Sequence, residues 1–136
     1  MDKIVVLGGG GHARVVVDAL NAFGKYKIAA VLDPALPKGS QVLGEKVAGT
    51  DADLARLYSR GIRHCVVAVG SVGNIAVRKK LYIKAEKTGF VFPPVVHPRA
   101  IVSKNSRLGA GTFVAAGAVV NPGVTTGVCC IINTGA

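Results

Sequence analysis

The apolar positions of this chain keep two different rhythms. Over residues 3 to 92 they alternate between unbroken runs and helical spacing. Lys3 to Leu7 is a β-branched run and predicts a strand, ending at Gly8-Gly9-Gly10-Gly11. Val16, Leu20 and Phe23 then recur at helical spacing, and Ile28 to Leu32 predicts a second strand halted by Asp33-Pro34. After a Pro/Gly/Ser-rich loop, Val42-Leu43 and Lys46 to Ala48 predict a short strand. Thr50-Asp51-Ala52-Asp53 has the form of an N-cap with a carboxylate at the third helical position, and Leu54, Leu57 and Tyr58 supply the apolar stripe behind it. His64 to Val69 predicts a buried strand. Gly70-Ser71-Val72-Gly73 turns the chain into a helix from about Asn74 to Lys87, and Phe90 to Phe92 closes the unit. Strand and helix in alternation imply a parallel sheet with right-handed crossovers.

Pro93-Pro94 and His97-Pro98 punctuate the chain, and beyond them the rhythm becomes six. Val102, Leu108, Val114, Val120, Thr126 and Ile132 stand at that spacing. Two residues before each comes Ala100, Ser106, Thr112, Ala118, Val124 or Cys130, and one after comes Ser103, Gly109, Ala115, Asn121, Gly127 or Asn133. Six suits neither an α-helix nor a hairpin. It suits a parallel β-helix, in which an aliphatic residue points inward at each flat face and a small one fits the corner beside it. The 37 residues from Ala100 make two triangular coils of three such units. A solenoid this short would leave Ile131, Ile132 and a strand edge uncovered, which leads to the expectation of an N-terminal piece of a longer polypeptide.

Composition narrows the function. Half of the residues are apolar, enough for a core, and no run is long or uniform enough for a membrane span. Met1-Asp2-Lys3 leads straight into a strand without the features of a secretory signal, so a cytoplasmic, reducing location is expected. Three cysteines, with Cys129 and Cys130 adjacent, make neither a disulfide framework nor a metal spacing, and no metal is expected. Seventeen Lys and Arg face seven carboxylates, giving a net charge of +10, and no Asp or Glu follows Glu86. This balance favours anionic partners. Nucleic acid is not expected: there is no Trp, and the basic residues are dispersed except for Arg78-Lys79-Lys80 with Lys84 and Lys87, read as a solvated helix face. Phosphate-bearing small molecules fit better.

Gly8-Gly9-Gly10-Gly11-His12-Ala13 matches G-x-G-x-x-A after a strand and at the opening of a helix. Glycines let the backbone approach a phosphate, and the helix N-terminus offers free N–H groups and positive potential. Asp33 ends the second strand, where an acidic residue often meets a ribose hydroxyl. A bare β–α turn would use the same glycines without any ligand. The second glycine loop, Gly70 to Gly73, belongs to the same carboxyl edge of the sheet. The unit has room for roughly half of a six-stranded dinucleotide fold, which weighs against hydride transfer.

Taken together, the two rhythms resemble the bacterial hexapeptide-repeat acetyltransferases of the UDP-amino-sugar N-acetyltransferase and sialic acid O-acetyltransferase family. The carriers of the resemblance are Ile4 to Ala13, Val69 to Asn74 with Arg78, Val96-His97-Pro98-Arg99-Ala100, and Ile131 to Ala136; it covers essentially the whole chain. It implies an α/β fold: a small Rossmann-like nucleotide-sugar domain over 1–94 and the first coils of a left-handed parallel β-helix over 95–136. It also implies a homotrimer with acetyl-CoA along the groove between neighbouring solenoids. Gly8, Gly9, Gly10 and Gly11 would hold the nucleotide diphosphate with His12 alongside. Asp33 would lie near the nucleoside, Gly70, Ser71, Asn74 and Arg78 would line the pocket, and Asn133 would stand beside the sugar.

The family's catalytic His comes a few positions after the segment matching Asn133 to Ala136, so no catalytic residue is assigned in this chain. Acetyl transfer needs a base and donors for the thioester oxyanion. His97 lies before the first six-residue unit and is expected to pack or hydrogen-bond at the joint. Cys129 has no basic or His neighbour in sequence to lower its pKa, and Cys130 occupies the inward small-residue phase. The expectation is an acetyl-CoA-dependent acetyltransferase whose portion seen here is inactive alone. A non-catalytic nucleotide-binding module is the alternative, and an NAD-linked oxidoreductase, which leaves the six-residue repeat unexplained, stands behind both.

Overall fold

The structure, a computed structural model, describes residues 1–70 and 75–136. The first part runs β1 (Asp2–Leu7), α1 (Gly11–Phe23), β2 (Tyr26–Leu32), β3 (Gln41–Val42) and β4 (Glu45–Gly49). A 3-10 turn at Asp51–Asp53 leads into α2 (Leu54–Ser59), followed by β5 (His64–Val67) and α3 (Ile75–Thr88). The sheet order is β3-β4-β2-β1-β5. β4, β2, β1 and β5 are parallel, and β3 joins antiparallel to β4. Val91 forms a parallel bridge with His64, so the segment that closes the unit extends the β5 edge.

The sequence places Leu43 within a strand, but it forms the turn between β3 and β4. Leu43 and Gly44 both take positive φ (47° and 83°), as a two-residue hairpin demands, and the Leu43 side chain is left exposed. The predicted cap forms as expected. Thr50 Oγ1 accepts from Ala52 N at 3.2 Å, and Asp53 Oδ2 accepts from Thr50 N at 2.9 Å, satisfying donors that the helix start leaves open.

Alternation along β1 splits the core into two layers. Ile4 and Val6 pack with Val16, Val17 and Leu20 of α1, and that layer also takes in Val95, Phe113 and Ala115 from the six-residue region. Val5 and Leu7 pack with Leu54 and Leu57 of α2, Ala85 of α3, and Phe90 and Phe92 in the segment after it. Among the described residues, no helix is long and apolar enough to cross a membrane.

The remaining strands are β6 (Val95–Val96), β7 (Ile101–Val102), β8 (Phe113–Val114), β9 (Val119–Val120) and β10 (Ile131–Ile132). Val95 pairs in parallel with Phe113 and Phe113 with Ile131, while Ile101 pairs with Val119. Each step is eighteen residues, or three six-residue units per turn of the coil. The inward column is real: Val114, Ala118 and Val120 are buried, with Val96, Ala100, Val102, Leu108 and Ile132 packed against them. Thr126 is the polar member of the column. Its hydroxyl accepts from Gly109 N and meets Thr112 Oγ1, both at 2.9 Å, so the group is satisfied inside the coil.

A second beat of six lies in the backbone. Gly111, Gly117, Gly123, Cys129 and Gly135 all take left-handed φ, between 54° and 83°. Glycine does so without penalty, whereas an L side chain pays roughly 1–2 kcal/mol. Cys129 is the only non-glycine in this series.

Candidate functional site

β1 delivers the chain into the glycine loop, and each glycine there has its own environment. Gly8 adopts φ 114°, and a Cβ on it would lie 3.1 Å from the Ala68 carbonyl oxygen and 2.9 Å from Val69 Cγ2. Its N–H donates to Leu32 O at 2.8 Å, so this residue seals the loop onto both neighbouring strands. Gly9 N donates to Asp33 Oδ2 at 2.8 Å, and Ala35 N donates to Asp33 Oδ1 at 2.7 Å. The Asp33 carboxylate thus staples the end of β2 to the glycine loop, with lone pairs remaining on both oxygens. Gly10 and Gly11 have nothing among the described residues within 4 Å of a Cβ position. They open α1, whose first turn holds no acidic residue and whose cap offers no side-chain acceptor, so its positive end is uncompensated.

These residues surround a cleft of about 300 Å³ at the carboxyl ends of β1, β2 and β5, the edge at which open α/β sheets bind ligands. Gly8, Gly10, Gly11, His12, Asp33 and Gly70 line it together. An adjoining hollow of about 430 Å³ shares Gly10 and Gly11 and adds Gly9, Arg14, Leu36 and the β3 hairpin. Arg14 escaped the sequence reading, although a cation in the first turn of a helix that follows a glycine loop is a legible signal for an anion site. Ser71 and Asn74, also expected at this edge, lie outside the described residues.

His12 connects the cleft to the coil. Its ring meets Phe113 of β8 edge-on, with centroids 5.4 Å apart, and its Nε2 is buried without a hydrogen-bond partner among the described residues. Burial, and then the nearby Arg78 charge, hold its pKa below the usual 6.5. The unfolded chain therefore binds more protons than the folded one as pH falls through 6.5, and stability declines there. The urea midpoint is expected to drop between about pH 7.5 and about pH 5.5, and His12→Gln to flatten that slope. An identical slope in both proteins would remove His12 as the cause. Asp51 and Asp53, held below 3.8 chiefly by hydrogen bonds from Lys84 and the Thr50 backbone, contribute only at more acidic pH.

Arg78 stands apart from the cleft. It is buried, and its guanidinium donates to the carbonyls of Val69 and Cys129, the latter at 2.5 Å. It borders a larger hollow, about 620 Å³, between α3 and residues Val128 to Ile131. This geometry ties the end of the β5 segment to a coil corner. Asn133 is exposed and does not line the glycine cleft, its carbonyl accepting from Ala136 N at 3.0 Å. His97 hydrogen-bonds at the joint, Nδ1 accepting from Arg99 N at 3.0 Å. The three thiols are free; burial pushes the Cys129 thiol upward against the opposing pull of Arg78, the opposite of what a nucleophile needs.

Comparison with known proteins agrees with this architecture. The family described as PglD N-terminal domain matches residues 3–85. UDP-N-acetylbacillosamine N-acetyltransferase of Bacillus subtilis (strain 168) is 37% identical over 119 residues, covering 85% of this chain and 52% of its own length. A variant of perosamine N-acetyltransferase from Caulobacter crescentus, solved with CoA and GDP-perosamine, superposes with a TM-score of 0.89 at 39% identity, over 99% of this chain and 61% of its own. The acetyltransferase domain of PglB from Neisseria gonorrhoeae FA1090, solved with acetyl coenzyme A, gives 0.85 at 36% identity, over 96% and 61%. The chain thus spans about half the length of the curated relative and about three fifths of the solved ones. With its glycine-loop half matched by the family and its whole fold shared with these acetyltransferases, the chain belongs to the PglD N-terminal domain family.

Proposed function

We propose that this chain is the acceptor-binding part of an acetyl-CoA-dependent acetyltransferase that acts on a nucleotide-linked amino sugar in glycan biosynthesis. One observation carries the reading: the glycine-loop cleft is joined to the coil through the contact of His12 with Phe113. A sugar extending from a diphosphate in that cleft would be delivered toward the coil. In this reading residues 1–94 form the nucleotide-sugar domain, and 95–136 the first turns of a left-handed parallel β-helix. The diphosphate lies over Gly10 and Gly11 at the N-terminus of α1, where open space and unopposed N–H groups suit an anion. Arg14 faces the same hollow and supplies a cation. Asp33 shapes the loop and offers its remaining lone pairs to the nucleoside. Arg78 serves as a brace between loop and coil, and Asn133 stands beside the acceptor sugar. Acetyl-CoA lies along the coil at the interface of a homotrimer.

None of His12, His64 and His97 is paired with a carboxylate among the described residues, and we assign the general base to none of them. Calorimetric titration of the 136-residue chain with UDP- and GDP-linked amino sugars tests the reading. Binding is expected, and Gly11→Ala is expected to weaken it at least tenfold while leaving the melting temperature unchanged, because the added methyl meets nothing among the described residues. Binding of NAD but of no nucleotide sugar would overturn the assignment.

A further inference from the structure

We propose that the outward face of α3 is a docking surface for the anionic headgroups of a phospholipid bilayer. Arg78 and Ala85 turn inward from this helix. On the opposite side Lys79, Lys80, Lys84 and Lys87 border a shallow hollow of about 500 Å³ whose floor is Ala76 and Ile83. At the helix start Ile75 is 73% exposed. Lys84 is paired with Asp51 at 2.7 Å; Lys79, Lys80 and Lys87 form no ion pair among the described residues. Glu86, the one carboxylate of α3, already accepts from the Tyr82 hydroxyl at 2.7 Å. The chain as a whole carries +10.

The chemistry of the face selects the partner. Lysine is a flexible point charge, without the planar fork by which arginine reads one carboxylate or phosphate geometry. The lysines here flank aliphatic side chains, and α3 itself, Ile75–Thr88, contains no Asn, Gln or Ser to register a specific polar partner. Such a face matches a diffuse negative surface with an apolar layer beneath it, which is what an anionic leaflet presents. Exposed aromatic rings, which nucleic acid would use for stacking, are missing from the hollow's lining. None of its residues lines the glycine-loop cleft, so docking through α3 leaves that edge of the sheet open.

Cosedimentation with phosphatidylglycerol–phosphatidylcholine vesicles tests the proposal. The chain is expected to pellet with these vesicles at low salt, to be released as salt rises, and to stay free of pure phosphatidylcholine. Each lysine removed should weaken binding about fivefold, so K79Q/K80Q/K87Q should lose about a hundredfold. K27Q/K38Q/K46Q removes the same charge from exposed positions elsewhere and should keep most of the binding. Both variants alter only exposed side chains and are expected to melt with the parent. Equal losses in the two variants, equal binding to phosphatidylcholine alone, or capture by polyglutamate while vesicles stay free would each overturn the assignment.

Discussion

Gly109→Ala is expected to lower the melting temperature by roughly 10 °C, at a cost of about 3 kcal/mol. Gly127→Ala, at the same phase one coil later, should leave it nearly unchanged. The difference lies in what stands above each residue. A Cβ on Gly109 would drive into the Gly127 carbonyl, within 2.6 Å of its carbon and 2.8 Å of the Thr126 oxygen. These are backbone atoms of the next turn and have no rotamer into which to retreat. Relief requires the coils to separate, loosening the Gly109 N–H to Thr126 hydroxyl bond and the contact of that hydroxyl with Thr112. A Cβ on Gly127 meets only Cys130 Sγ at 3.8 Å, an ordinary contact. Circular-dichroism melts of both variants decide the matter, and equal melting temperatures would show that the coils do not stack as closely as described.

Arg78→Met should cost about 2–4 kcal/mol, and Arg78→Lys should recover only part of that loss. The methionine fills much of the space but abandons two carbonyls, those of Val69 and Cys129, that belong to different halves of the chain. Lysine keeps the charge but, as a single ammonium, does not span both acceptors with a planar fork. Burial already holds the Arg78 pKa below its usual value, so the cation is itself costly and the two carbonyl bonds compensate it. Chemical denaturation reads the order wild type, Lys, Met. Equal stability of the Lys variant and wild type would mean that charge alone, without the fork, holds the joint.

Most of the α/β layer was legible because its signals are local. A β-branched run, a four-glycine stop, a helical stripe and the Thr50 cap each need only a few consecutive residues, and β1, α1, β2 and the cap formed where those signals lie. Leu43 failed for a tertiary reason: hairpin geometry required positive φ at a residue whose apolar side chain reads as strand. The inward phase of the coil was visible as a six-residue beat, whereas the left-handed beat of Gly111, Gly117, Gly123 and Gly135 was equally present and went unread. Cys129 in the same series was illegible, since nothing in its side chain announces a left-handed backbone. In the site, Gly10 and Gly11 could be read from their motif. The pairing of His12 with Phe113 and the two carbonyls held by Arg78 could not, because their partners lie far away in sequence.

The left-handed corners also constrain how this region can change in length. Insert one residue after Thr112, and every later corner glycine moves off its corner, bringing Ala116, Pro122, Val128 and Thr134 onto backbone that favours glycine. Insert a full turn of eighteen, and each corner, inward column and parallel pair falls back into place. Natural length variation here should therefore be quantised in whole coils, while the loops of the α/β layer drift by single residues.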